Sequence, residues 1–254
     1  MKKIAIIGTG VSGLTCGHLL HKDYDVTLFE KNDYIGGHTA TVDVDVSGIK
    51  YAIDTGFIVF NDRTYPYFEK LLKRIGVDKQ KTEMSFSVHN DATGFEYNGH
   101  TFTSLFAQRR NIFRPKFWRL LYDIVRFNKL CKAIHEKGSY KADHTLGQLL
   151  NENHFNDFFK YHYILPMGAA IWSSSIKEME HVGVEFFVKF FFNHGLLDVT
   201  NRPQWYVIPG GSRQYIDPLI HGFADKIKLN TNIKKITRAD DKVTIEFTNG
   251  DTCQ

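Results

Sequence analysis

IAIIGTGVSGL, Ile4 to Leu14, is the stretch on which the fold turns. Its first four residues form an apolar run that predicts a buried parallel strand, and Gly8, Gly10 and Gly13 follow in the spacing GxGxxG. Val11 to His21 then has helix-compatible spacing, and a second apolar segment, Val26-Thr27-Leu28-Phe29, ends in Glu30. The acid falls about twenty residues past the glycines, as in a dinucleotide-binding βαβ unit. The three glycines act differently. Gly8 permits the tight turn off the strand, Gly10 lets backbone approach a pyrophosphate, and Gly13 lets the helix pack closely. The first helical residues, Val11 and Ser12, present free N–H groups and the positive end of the helix dipole to phosphate.

Glu30 narrows the ligand. A carboxylate at the end of the second strand accepts hydrogen bonds from a ribose and repels a ribose 2′-phosphate, which disfavours NADP and leaves NAD or FAD. Beyond it lies KNDYIGGHTATV, in which Gly36-Gly37 makes a second glycine turn. Such a turn favours FAD, since backbone must then pass close to a ligand that extends further. An ordinary loop turn explains the same pair more blandly.

Composition sets the outer bounds. With 254 residues, 43% hydrophobic and 24% charged, the chain can bury a substantial core. The formal charge of +4 is too small to argue for a nucleic-acid partner. The apolar run after Met-Lys-Lys breaks at Gly8, too early for a signal peptide, and no segment approaches membrane-spanning length. The three cysteines, Cys16, Cys131 and Cys253, are scattered without metal spacing and read as reduced thiols, which points to the cytoplasm.

Several separate motifs resemble the flavin-containing amine oxidoreductases, the superfamily that also holds phytoene desaturases and protoporphyrinogen oxidases. They are EKNDYIGGHT, YAIDTGFIVFN (Tyr51 to Asn61) and WYVIPGGSRQYIDPL (Trp205 to Leu219). DTGFIVFNDRTYPYF and YILPMGAAIWSSS (Tyr163 to Ser175) are most similar to a bacterial branch often encoded beside cyclopropane fatty acid synthases. The resemblance implies an α/β fold: a Rossmann-like FAD-binding domain (GR2-type) with an inserted, mainly helical α+β substrate or cap domain. Residues 1–62 and 205–254 would form the discontinuous FAD domain, and 63–204 the cap. Gly8, Gly10 and Gly13 would lie under the FAD pyrophosphate, and Glu30, with Lys31 beside it, at the adenosine ribose. Gly36 and Gly37 would line the flavin-side phosphate and ribityl path. His38 stands where the family more often has arginine, a weaker phosphate contact. Asp54-Thr55-Gly56 would approach the flavin end, Pro209-Gly210-Gly211 would begin the return to the FAD domain, and the backbone of Ile233 would meet the adenine.

After KVTIEFTNGDTCQ the family pattern implies a further strand, a long segment and a final glycine-acid motif at the cofactor. The chain is expected on that basis to be a C-terminally truncated product or one part of a split protein, holding FAD weakly or not at all by itself. The expected activity is transfer of a hydride from an apolar, lipid-like substrate to flavin. The alternative is a truncated, non-catalytic dinucleotide- or lipid-binding module, and a plain NAD dehydrogenase is disfavoured by the Gly-Gly and Asp-Thr-Gly motifs. No catalytic residue is identifiable, because flavin carries the electron chemistry and the protein supplies orientation. Tyr163, Trp172 and Arg63 are motif residues that could face flavin or the cap cavity.

Two features of the inserted region stand out. VEFFVKFFFNHGLL (Val184 to Leu197) carries five phenylalanines in seven residues and predicts a core helix, with an apolar substrate wall as the sharper alternative. RRNIFRPKFWRLLYDIVRFNK (Arg109 to Lys129) predicts a basic amphipathic helix, either a solvated face over the cap core or a peripheral contact with an anionic membrane. Other constellations read as structural. The twelve histidines show no ligand set, so no metal is expected. Ser173-Ser174-Ser175 lacks the glycines of a nucleophile elbow, and Ser175 with Glu178 predicts a capping box. Asp43 and Asp45 alternate with valines and should lie on the wet face of a hairpin turning at Ser47-Gly48. Nothing in the sequence fixes the oligomeric state.

Overall fold

In the computed structural model, which describes residues 1–198 and 202–254, the opening stretch forms a β-α-β unit. Strand β1 (Lys3–Ile7) leads through the glycine turn into helix α1 (Val11–Leu20), and β2 (Asp25–Phe29) returns. β1 and β2 pair in parallel from Lys3 opposite Asp25 to Ile7 opposite Phe29, and Ile227–Lys228 adds to the other edge of β2, also in parallel. Parallel neighbours need a crossover, which α1 supplies by burying Leu14 beside Val26 and Leu28. The central, buried strand is therefore β2. The sequence predicts burial for β1 as well, yet it lies at the edge of this three-stranded sheet, and Ile7 is 51% exposed. Ile4 and Ile6 pack against the core of the first unit, while Ala5 and Ile7, alternating with them, face away from it.

β3 (Thr41–Val46) and β4 (Ile49–Asp54) form the expected antiparallel hairpin, with Val46 opposite Ile49. Its turn has positive φ at both Ser47 (55°) and Gly48 (84°), the combination that matches the twist of a tight hairpin. The alternation places Val42, Val44 and Val46 on one face with Ile53, Tyr51 and Ile49 directly opposite, and all six are exposed. Both faces of this hairpin meet solvent, not the aspartate face alone.

The described residues group into two compact units. The first holds residues 1–60, 65–82 and 206–254; the second holds 61–64 and 83–205. Helix Pro66–Ile75 departs from the expected insertion beginning at 63. Its Leu71 and Leu72 are buried with Leu14, Leu28, Phe60, Leu219 and Phe223 in the core of the first unit. That unit also contains an antiparallel sheet in the order Ile233–Arg238, Val243–Phe247, Thr252–Cys253.

The second unit is mainly helical, with a small hairpin of Ser87–Asn90 against Phe95–Asn98. Its long helix, Pro115–Lys137, begins with proline at a position whose N–H would be unpaired anyway and ends on Gly138 in the left-handed conformation. Phe117, Leu120, Phe127 and Cys131 point from this helix into a core shared with Phe159, Leu165, Phe187 and Phe191. The phenylalanine-rich helix Val184–Asn193 is thus a core helix along Val184, Phe187, Val188 and Phe191, while Phe186 on its other side is 56% exposed. Ser175 and Glu178 form the predicted reciprocal capping box.

One carboxylate lies fully inside this unit. Asp123 is buried on the long helix and accepts hydrogen bonds from Arg119 Nε (3.1 Å), Arg126 Nε (3.1 Å) and Asn156 Nδ2 (2.7 Å). A buried charge is tolerated only when its lone pairs are filled in this way. Asp123→Asn should destabilise the protein by about 1–3 kcal/mol. Arg119→Ala, which leaves two of the three donors and removes a half-exposed partner, should cost under about 1 kcal/mol. Urea unfolding followed by circular dichroism measures both, and equal costs would contradict the central role given to the carboxylate.

Candidate dinucleotide-binding site

The chain leaves β1 through Gly8, at φ +88°, and Gly8 N–H donates to the Phe29 carbonyl of β2 at 2.8 Å. The turn closes so tightly that a Cβ at Gly13 would sit 2.0 Å from the Gly8 carbonyl oxygen. Gly13 therefore permits close approach of the helix to the turn itself as well as to β1. Gly10 is the N-cap of α1 and offers no side-chain acceptor to the first helical N–H groups. A Cβ built on Gly8 or Gly10 would meet nothing within 4 Å. The site thus presents bare backbone, uncapped N–H donors at Val11 and Ser12, and the positive helix end facing open space.

Glu30 closes the other side. It is buried, 5% exposed, and its Oε2 accepts from the backbone N–H of Thr9 (2.8 Å) and the Thr9 hydroxyl (2.7 Å). Oε1 accepts from Asn32 N–H at 3.0 Å. Burial alone would raise the Glu30 pKa. The N–H donors of Asn32, Thr9 and Lys31 and the Thr9 hydroxyl outweigh it and hold the carboxyl below the usual range. The hydrogen bonds from Thr9 N–H, the Thr9 hydroxyl and Asn32 N–H fill three of about four lone-pair positions on the carboxylate, which leaves Oε1 able to accept a further hydroxyl.

Thr9, the unassigned residue between the glycines, proves central. It is fully buried, and its carbonyl accepts from Gly36 N–H at 3.1 Å. Gly10 and Gly36 form a parallel bridge, and a Cβ at Gly37 would lie 3.1 Å from Gly10 Cα. The two glycine turns are therefore stacked against each other, which the spacing in sequence does not reveal. The only hint is chemical: a hydroxyl residue within reach of a strand-end acid.

Asp54 is engaged within the unit. Its Oδ1 accepts from the Thr41 hydroxyl (2.6 Å) and from Ser212 N–H (2.9 Å) and Oγ (2.8 Å). Asp54 thus pins the Pro209-Gly210-Gly211-Ser212 return segment to the base of the hairpin. Asp43 joins the same segment through a two-pronged ion pair with Arg213, at 2.8 and 2.5 Å. The neighbours Thr55 and Gly56 remain exposed, and Phe57 N–H donates to the His38 carbonyl at 2.8 Å, so 54–57 runs alongside 38–41. The His38 side chain is exposed. Lys31 is exposed as well. Ile233 begins its strand two residues after Thr231, whose N–H donates to the Glu30 carbonyl at 2.8 Å, so it lies close in chain to the Glu30 end of β2.

The first unit therefore brings Gly8 to Gly13, Glu30, Gly36 to Gly37 and Asp54 to Gly56 into one hydrogen-bonded assembly. Tyr163, Trp172 and Arg63 belong to the second unit. Burial there pushes the Tyr163 phenol up to about 12, and Trp172 packs against Phe187 and Phe190. The helical histidines have structural partners: His18 Nδ1 meets the Leu219 carbonyl at 3.0 Å, and His21 packs on Phe223.

An α/β unit with stacked glycine turns and a strand-end acid has the geometry of a dinucleotide-binding fold. The sequence model of the flavin containing amine oxidoreductases matches residues 11–254, and the chain belongs to that family. FAD is the cofactor of this family. The chain is 27% identical over 164 residues to 1-hydroxycarotenoid 3,4-desaturase of Flavobacterium sp. (strain P99-3), a match spanning 59% of this chain and 33% of that protein. It is 22% identical over 260 residues to flavin-containing amine oxidase B of Bos taurus, covering 97% of this chain and 47% of the other. The chain thus spans from a third to about half the length of these curated relatives. Among solved structures, putrescine oxidase bound to putrescine shares the fold with a TM-score of 0.64 at 16% identity, over 99% of this chain and 56% of that one. The CLA-producing fatty acid isomerase of P. acnes shares it with a TM-score of 0.56 at 20% identity, over 98% and 56%. No helix among the described residues is long and apolar enough to cross a membrane.

The hydrogen bonds to Glu30 favour its ionised form in the folded state. Its contribution to stability is therefore complete above the unfolded carboxylate pKa and is lost as pH falls through the lower folded value. The stability advantage of the wild type over Glu30→Gln should be constant above about pH 5.5 and shrink as the pH falls from there toward about pH 3. Urea midpoints measured across that range check this, and a constant difference would contradict it.

Proposed function

We propose that this chain is the dinucleotide-holding part of an FAD-dependent oxidoreductase that takes a hydride from an apolar, lipid-like substrate. The observation that supports this most directly is the open backbone over Gly8 and Gly10 beside the ionised, donor-locked Glu30. When bound, flavin supplies the electron-accepting chemistry. The chain's own residues do the rest. The N–H groups of Val11, Ser12 and Gly13 neutralise the pyrophosphate, and Glu30 uses its remaining lone-pair capacity on the adenosine ribose. Gly36 and Gly37 let the backbone near His38 run close to the cofactor. Asp54 fixes the hairpin base so that Thr55 and Gly56 border the flavin end, and the backbone near Ile233 borders the adenine. Lys31, exposed beside Glu30, adds positive charge near the phosphates.

The apolar substrate is supported by two of the similar proteins, one named for a carotenoid and one for a fatty acid. Titration of the purified chain with FAD, read by the visible flavin bands, tests the cofactor reading, with ADP as competitor. ADP should displace FAD, and Glu30→Ala should weaken both by about 10- to 100-fold. Absence of both FAD and ADP binding would overturn the dinucleotide reading. FAD that binds but stays oxidised under anaerobic addition of fatty acyl and polyene compounds would overturn the substrate class and leave a non-catalytic binding module.

A further inference from the structure

The second unit carries a surface that neither its core nor the flavin site uses. From Glu96 to Asp123 the sequence contains no intervening acid, while Arg109, Arg110, Arg114, Lys116 and Arg119 fall within that interval. Of these, Arg119 meets Asp123; the other four have no acidic partner among the described residues. Interleaved with the cations are large apolar side chains left in solvent. Phe113 is 86% exposed, Phe102 78%, Tyr122 60% and Trp118 50%, with Ile112 and Val125 at 44%.

These side chains are contiguous. Phe102 touches Phe106 at a ring separation of 5.0 Å, and Phe106 touches Trp118 at 5.5 Å. The Trp118 indole N–H donates to the Ile112 carbonyl at 2.8 Å, fixing the segment before the long helix against it. Trp118, Tyr122 and Val125 then follow at i, i+4 and i+7 along one stripe of the helix. The Arg119 guanidinium lies 5.5 Å from the Tyr122 ring centre. The opposite stripe, Phe117, Leu120, Phe127 and Cys131, fills the core of this unit, and the outer stripe takes no part in it.

We infer that this face seats the protein on an anionic lipid bilayer. The chemistry favours lipid over an acidic protein. Protruding aromatics alternate with cations here, instead of forming a flat apolar centre with a charged rim. In the alternating arrangement Phe102, Phe113 and Trp118 enter the headgroup–acyl boundary while Arg109, Arg114 and Lys116 meet lipid phosphates at the same depth. Complementary charge is supplied by an anionic leaflet, whose negative surface potential attracts each basic residue held near it. The inference stands apart from the flavin reading and holds whether or not cofactor binds.

Sedimentation with vesicles tests it, comparing phosphatidylcholine alone with an equimolar mixture of phosphatidylcholine and phosphatidylglycerol. The wild type should pellet with the mixed vesicles only, and added salt should release it. The double variants Phe102→Ser/Phe113→Ser and Arg109→Glu/Lys116→Glu change exposed side chains only, and each should weaken binding about tenfold or more. Tryptophan emission should shift to the blue on mixed vesicles, and Trp118→Phe should remove that shift. Failure to bind mixed vesicles, equal binding to neutral ones, or unchanged binding by both double variants would overturn the inference. An acidic protein that binds this face while the vesicles do not would assign it to protein recognition instead.

Discussion

Thr9 holds the first unit in register. Its N–H and hydroxyl go to one oxygen of Glu30, and its carbonyl receives the N–H of Gly36. A single fully buried residue thus ties the end of β1, the end of β2 and the second glycine turn together. Its bonds to a charged acceptor are of the stronger kind, each worth about 1.5–3 kcal/mol. They also decide the shape of the binding surface. With Thr9 turned inward to Glu30, its neighbours Gly8 and Gly10 leave backbone uncovered, and the N-terminus of α1 lacks a side-chain cap. The donors that would have been satisfied by a serine or aspartate cap stay available to an anionic ligand.

The βαβ core is legible in the sequence because each of its signals is local. The glycine spacing, the helix after it and the strand-end acid all lie within thirty residues, and the structure places them as the spacing requires. The Ser47-Gly48 turn and the Ser175–Glu178 capping box are legible for the same reason. Where the sequence misleads, the missing information is long-range. The run Ile4 to Ile7 has the composition of a strand buried on both faces, but burial depends on what packs on each face, and only Ile4 and Ile6 meet the core of this unit. Leu71 and Leu72 join the first unit because their helix finds that core, a choice that no pattern within the helix specifies.

Asp54 shows how a motif residue can have a structural task that its motif does not announce. Its partners are Thr41 from the facing strand and Ser212 from far along the chain. The carboxylate accepts a hydroxyl and a backbone N–H at the start of a short helical segment, so it fastens the returning chain to the hairpin. Asp43 and Arg213 repeat the tie one step further along. The acid in Asp-Thr-Gly thus serves as a clamp, and the exposed threonine and glycine after it are what remain free to border a ligand.

Net charge conceals the basic face of the second unit. A value of +4 over the whole chain excludes little, because the many acids elsewhere cancel most of the basic residues. The acid-free interval between Glu96 and Asp123 concentrates the cations in one segment, where neighbours of like sign raise the local potential. Among the described residues folding pairs only Arg119 of these with an acid, Asp123, and it leaves Phe102 and Phe113 at the same surface. Exposing such side chains in water forgoes about 1.5–3 kcal/mol each of available burial. Both costs fall away when the surface meets a medium that is anionic outside and apolar just beneath, which is the layered chemistry of a lipid leaflet.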